Sequence, residues 1–347
     1  MSYLPVLELT RGNIVESLHY GAFAVADAAG RLVASYGDPH TVTFLRSSAK
    51  PFQAISLVES GAAEAFGLTP REIALACASH KAMEMHVEAV LAMQSKIGVR
   101  ESDLLCGAHE PGDPEAARRL RREGRAPTPN HNNCSGKHTG MLAQAKHRGL
   151  PLADYINPQH GLQQTILQNF AEMCALRVDA VVVGVDGCSA PNFAVPLVAA
   201  ATAFARLADP GSLSPSRAAA LRAIFSAMTA HPEMVSGPGG FDTELMRARP
   251  GLLLAKGGAE GYEGLGIAPG ARGPGSPALG VALKIADGAS RAIAPVALEI
   301  LRQLGALGEG ELKALEGLGF GLRLPVKNWR GLVVGEARTC FALADGG

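Results

Sequence analysis

The sequence predicts an α+β fold: a mainly antiparallel sheet flanked by helices, with a large helical region. Three observations carry this. Strand-like segments gather toward both ends of the chain, residues from about 50 to 230 read mainly as helix, and no linker divides them. The expectation is one catalytic unit over residues 1–347, with its sheet built from both chain ends and its middle mainly helical.

Residues 5–9, 20–27 and 31–36 read as strands, with turn chemistry at Asp27–Gly30. The strand signal ends near Leu45, and Ser47 to Ala54 opens a helix that reaches about Ser60. Pro51 suits its first turn, where a missing N–H costs nothing. Thr69-Pro70-Arg71-Glu72 is a capped start for a helix to about Ala78. Helices are expected at 84–97, 114–124, 135–147 and 160–175, with a Pro- and Asn-rich loop from Arg125 to Asn133. Val178 to Val185 is an apolar, β-branched run and is expected to form a buried strand. Helices at 192–207 and 215–230 precede a turn cluster, Ser236–Gly240. A short strand at 252–255, a Gly-rich turn or hairpin loop at 261–277, a strand at 278–286, a helix at 288–304 and a strand pair at 331–343 complete the chain.

Composition excludes several classes. Lys plus Arg and Asp plus Glu number 32 each, so the formal net charge is zero, which argues against a nucleic-acid partner. Hydrophobic residues make up 47% and charged residues 18%, which excludes a disordered chain. No basic segment followed by an apolar one opens the sequence, and the apolar stretch from Ala194 to Ala205 is broken by Pro196 and too short for a bilayer. The expectation is a cytoplasmic protein with no membrane association. Its six cysteines show no short-spaced framework and are expected as reduced thiols or metal ligands.

Ser47-x-x-Lys50 lies where strand gives way to helix, so the serine hydroxyl and the lysine amine share one face. A serine hydroxyl is a poor nucleophile until a base takes its proton, and an uncharged lysine amine can do so. The plain alternative is a capping serine and a solvated lysine. Two more features accompany the pair. Lys256-Gly257-Gly258 follows an apolar strand, where two small residues would let a substrate approach the backbone. Ser79-His80-Lys81 ends an apolar helix. The set resembles the S-x-x-K, S-D-N and K-T-G elements of serine β-lactamases and penicillin-binding proteins, departing in the last two residues of the middle element. That resemblance implies a serine β-lactamase/penicillin-binding-protein-like fold acting on a different amide.

Cys134 opens a helix after a loop, and Cys188 closes a strand. Two thiolates and a nitrogen suit Zn²⁺. The nitrogen could come from His138 or from Lys137, which lies three residues after Cys134 on the same helix face. The plain alternative is two buried free cysteines beside a surface Lys-His pair. A phosphate loop at Ser135-Gly136-Lys137 lacks the required upstream glycine.

Five runs are found in order along the chain: Arg46-Ser47-Ser48-Ala49-Lys50-Pro51-Phe52-Gln53, Ala78-Ser79-His80, His131 to His138, Gly184 to Pro191, and Lys256 to Gly261. Together they resemble the Rhizobium etli-type L-asparaginases, the asparaginase II or class 3 family. The resemblance implies hydrolysis of L-asparagine to L-aspartate and ammonia by a homodimer with two Ser–Lys pairs, Ser47 with Lys50 and Ser79 with Lys256. It implies a metal site, generally zinc, at Cys134, Lys137 and Cys188. Arg46, His138 and Asp186 stand where the family surrounds its substrate, and Gly257 accompanies them beside Lys256. Lys284 is a second strand lysine, but the context of Lys256 matches better. Either serine could be the nucleophile, and the S-x-x-K analogy favours Ser47. Two other functions remain in view: a penicillin-recognising peptidase or esterase, and a non-catalytic amino-acid- or metal-binding protein.

Overall fold

The computed structural model describes residues 2–345. Its strands are β1 (Leu4–Arg11), β2 (Ile14–Ala26), β3 (Leu32–Tyr36), β4 (Val42–Phe44), β5 (Val182–Val185), β6 (Pro191–Pro196), β7 (Leu253–Gly258), β8 (Tyr262–Ile267), β9 (Leu279–Ile285), β10 (Arg323–Lys327), β11 (Val333–Thr339) and β12 (Ala344–Asp345). Two compact units are formed. The first takes the chain up to Ser48, Val195–Asp209 and Glu244 onward; the second takes Ala49–Ala194 and Pro210–Thr243.

The first unit is a nine-stranded sheet in the order β10-β11-β1-β2-β9-β8-β7, with β3 on β2 and β12 on β3. Its pairs are antiparallel. The length of β2 lets it serve several partners. Ile14 to Gly21 pairs with β1, Gly21 to Ala26 pairs with β9, and Phe23 to Ala26 also pairs with β3. Side chains alternate faces along a strand, so paired residues share a face. The rows Ala24–Ala282–Gly264 and Ala26–Gly280–Gly266 therefore make one face of very small residues. Against it lies the alanine-rich helix Leu197–Ala208, close enough that a side chain at Gly280 or Gly264 would overlap it. The opposite rows, Phe23–Leu283 and Val25–Val281, are bulky and fully buried.

The second unit is mainly helical. Pro70–Ala76 starts as its sequence predicts. Thr69 N–H donates to Glu72 Oε2 at 2.7 Å, and Glu72 N–H donates back to Thr69 Oγ1 at 3.4 Å, a reciprocal cap. Helices Glu84–Ile97, Gly161–Met173 and Pro215–Ala230 belong to the same unit. The helix Ser135–His147 is buried at every position from Ser135 to Ala145. A helix buried on all sides cannot show an amphipathic stripe. Its polar residues are consequently held away from water, and the chemistry below depends on this. Among the described residues, no helix is long and apolar enough to cross a membrane.

Several elements differ from the sequence reading. Val178–Val185 is not one buried strand. Val178–Ala180 is a 3₁₀ turn, β5 starts at Val182, and Val182 and Val185 are 53% and 76% exposed. An apolar run reports composition, not coverage. The helix expected at 192–207 is preceded by β6 and begins only at Leu197. Pro196 disfavours helical backbone at Val195, which fixes that start. The glycine-rich 261–277 contains β8, a strand buried at all six positions. The Ser47–Ser60 segment is a 3₁₀ turn (Arg46–Ala49) followed by short helices Lys50–Gln53 and Ile55–Glu59. Pro51 cannot donate to the Ser47 carbonyl, so an α-turn there loses its bond. β2 begins at Ile14, and helix Glu309–Gly317 has no counterpart in the sequence reading.

Candidate active site

In the second unit, the Lys50 side chain is 1% exposed, and its Nζ donates to the Ala78 carbonyl at 2.6 Å and to Ser79 Oγ at 2.9 Å. Ser79 lies just beyond helix Pro70–Ala76 and is anchored by its own N–H, which donates to the Val235 carbonyl at 2.9 Å. Ser79 is half-buried. Within this unit the amine that meets Ser79 is that of Lys50. A side chain as flexible as lysine is held in one geometry here by burial and two acceptors.

The start of helix Ser135–His147 presents Cys134 and Lys137. Cys134 N–H donates to Asn132 Oδ1 at 2.8 Å, and Asn132 Nδ2 donates to the Cys106 carbonyl at 2.9 Å, which ties this turn to the preceding loop. Cys188 comes from the β5–β6 hairpin turn. That turn is closed by Asp186 N–H on the Ala190 carbonyl at 2.9 Å, and Ser189 takes the left-handed φ of 69°. Lys137 Nζ donates to Cys188 Sγ at 2.9 Å. A hydrogen bond from Cys188 holds the Cys134 thiol well below its usual value against the effect of burial, aided by Lys50 and Lys137. The same bond, with burial, pushes Cys188 up. Burial alone would lower Lys137, but Cys134, Cys188 and Asp186 beside it raise it. The cluster thus brings two sulfurs and an amine into contact.

Two sulfurs and a nitrogen in contact are a donor set that suits a borderline divalent cation such as Zn²⁺. Among the described residues no three His, Cys, Asp or Glu side chains gather at metal-holding spacing, so the third protein donor would have to be the Lys137 amine. His138 is not aimed at this set through Nδ1, which lies 2.7 Å from Tyr155 Oη. Burial, then the charges of Lys137 and Lys50, hold His138 well below the ordinary imidazole value. Cys106 belongs to the same neighbourhood, its thiol pushed up to about 12 by burial and by Cys134.

The first unit holds the remaining residues. Arg46 is a non-glycine residue at φ 53°, a conformation that surrounding contacts must impose. Ser47 follows it, and the hydroxyl of Ser48 donates to the Lys256 carbonyl. Lys256, 0% exposed, donates from Nζ to the Gly257 carbonyl at 2.6 Å. Gly258 has a packing reason that differs from the one expected. A Cβ there would run into the Leu45 carbonyl and stand 3.2 Å from Ser48 Oγ, so this glycine admits the chain's own backbone. Lys284 is elsewhere engaged, with its amine on the Ile285 carbonyl at 2.8 Å and on the Glu260 carbonyl.

Sequence reasoning missed two polar partners of these residues. His80 Nε2 lies 2.8 Å from Ser135 Oγ, and its Nδ1 accepts from Ala82 N–H at 3.1 Å. Tyr155 is the other. It is a single tyrosine in a loop, 17 residues from His138, and no spacing rule points to it.

The L-asparaginase II family model matches residues 7–339. No curated protein sequence matches significantly. Three solved structures are similar over most of the chain. A β-lactamase from Mycobacterium bovis is 13% identical with a TM-score of 0.44, covering 82% of this chain and 95% of that one. A probable glutaminase from Bacillus subtilis complexed with 6-diazo-5-oxo-L-norleucine is 14% identical with a TM-score of 0.39, covering 82% and 83%. A covalent complex of a Bacillus subtilis glutaminase with 5-oxo-L-norleucine is 13% identical with a TM-score of 0.38, covering 82% and 87%.

Proposed function

The chain belongs to the L-asparaginase II family and is an amidohydrolase, and from that premise we propose that it converts L-asparagine to L-aspartate and ammonia through an acyl-serine intermediate. The observation that carries the reading is the buried Lys50 amine on Ser79 Oγ at 2.9 Å. Two groups that can exchange a proton are held in contact, which is what acyl transfer to serine needs.

In this reading Ser47 Oγ attacks the side-chain amide carbonyl of asparagine. Lys50, three residues on, takes the hydroxyl proton. Ser79, in contact with the Lys50 amine, relays it to the amide nitrogen, the C–N bond breaks, and ammonia leaves. Water then attacks the ester with the same residues acting in reverse, releasing aspartate and restoring the serine. By its resemblance to the family, Lys256 is assigned as a second amine, Arg46 and Gly257 to the α-carboxylate end of the substrate, and Asp186 to its α-ammonium.

Cys134, Lys137 and Cys188 would hold Zn²⁺, which when bound supplies a fixed positive charge and replaces the protons of the cluster. Its role is to keep Asp186 and His138 in place, since each lies within two residues of a donor. Removing the metal with a chelator is expected to raise KM for L-asparagine about tenfold while kcat falls less than about threefold. A loss of kcat at constant KM would argue against positioning.

The test of the reading is ammonia release from L-asparagine. Wild type is expected to release it. Ser47→Ala should lower kcat at least about a thousandfold and Ser79→Ala about a hundredfold. A wild-type protein that yields no ammonia refutes the proposal.

A further inference from the structure

His138 lies on the buried helix Ser135–His147 and is itself 0% exposed. Its Nδ1 is 2.7 Å from Tyr155 Oη, and the two rings meet edge to face at 5.6 Å and 74°. Tyr155 Oη also accepts the backbone N–H of Leu105 at 2.9 Å, and Tyr155 is 0% exposed. A phenol carries one hydrogen, and a neutral imidazole carries one on either nitrogen. With Oη already accepting from Leu105, the phenolic hydrogen has Nδ1 as its acceptor. The opposite arrangement, with Nδ1–H donating, would leave both the phenolic hydrogen and the bare Nε2 without partners, whereas a proton on Nε2 leaves only that one N–H unpaired. The imidazole proton is therefore on Nε2. This Nε2 is buried and has no hydrogen-bond partner among the described residues. A buried N–H without an acceptor is costly, and a bound ligand oxygen would relieve it.

We propose that Tyr155 is a positioning residue that fixes His138 as an Nε2–H donor, and that this donor anchors a carboxylate oxygen of the substrate. The identity of the ligand rests on the L-asparagine reading above, whereas the tautomer does not. Backbone, phenol and imidazole form a chain with a fixed direction: Leu105 N–H to Oη, Oη–H to Nδ1, and a buried Nε2–H left without a partner.

The test uses the whole protein labelled with nitrogen-15 histidine, with His138 signals identified by their loss in His138→Leu. Wild type is expected to show a protonated Nε2 and a bare Nδ1. Tyr155→Phe should mix the two tautomers and raise KM for L-asparagine about tenfold with kcat changed less than about threefold. His138→Gln, whose amide can still donate, should bind L-asparagine more tightly than His138→Leu. A wild-type His138 protonated on Nδ1 overturns the proposal, as does a Tyr155→Phe variant with unchanged nitrogen signals and KM. Should Tyr155→Phe fail to fold, the wild-type spectrum and the Gln/Leu pair decide the matter. If wild type releases no ammonia from L-asparagine, the substrate reading fails instead, and the nitrogen signals still decide the tautomer.

Discussion

Replacing Lys50 by methionine is expected to lower kcat for ammonia release from L-asparagine by about a thousandfold, with KM changed less than about threefold. Methionine fills most of the same buried space, so the 1% exposed site stays packed while the amine on the Ala78 carbonyl and Ser79 Oγ is removed. The sharper comparison is Lys50→Arg. A guanidinium keeps a positive charge and several donors but cannot give up its proton in a protein. If Lys50 is the base, Lys50→Arg should be as inactive as Lys50→Met, although it could still donate to both acceptors. An arginine variant with near wild-type kcat would mean that Lys50 acts only as a charged donor. The acyl-transfer scheme would then need another base.

Gly280→Ala should destabilise the first unit by about 3 kcal/mol or more, measured as a fall in the urea midpoint. A Cβ at Gly280 would run into the Ala201 carbonyl and the Ala205 amide of helix Leu197–Ala208. These are backbone atoms that no rotamer can move aside, so the helix has to leave the small-residue face of β9. Gly310→Ala is the control. Gly310 lies inside helix Glu309–Gly317 with nothing near a built Cβ, and alanine should add up to about 1 kcal/mol there through helix propensity. Equal midpoints for the two variants would show that the close approach of helix and sheet does not limit stability.

The elements read correctly from the sequence carry local signals. Thr69-Pro70 and the Glu72 cap start a helix at Pro70, and Asp113-Pro114 and Ser214-Pro215 do the same at their helices. Each is decided within four residues, so neighbours in sequence suffice. The misread elements depend on what lies above them. β8 holds two glycines because a helix sits on them, and glycine alone reads as loop. Val185 is apolar yet 76% exposed, because burial is a property of the neighbours and not of the side chain.

The candidate site divides in the same way. Which residues can do chemistry was legible: the spacing of Ser47 and Lys50, the two cysteine junctions and the buried Lys-Gly-Gly strand each announce a chemical type. By itself, the sequence determined the α+β class and the family and named the candidate reactive groups, since these follow from residue identity and short-range order. Tertiary structure alone decided that Lys50 meets Ser79, that Lys137 donates to Cys188, and that Tyr155 meets His138. Those contacts join residues 17 to 51 positions apart. A hydrogen bond acts over about 3 Å, and only the folded backbone brings such distant residues within that range.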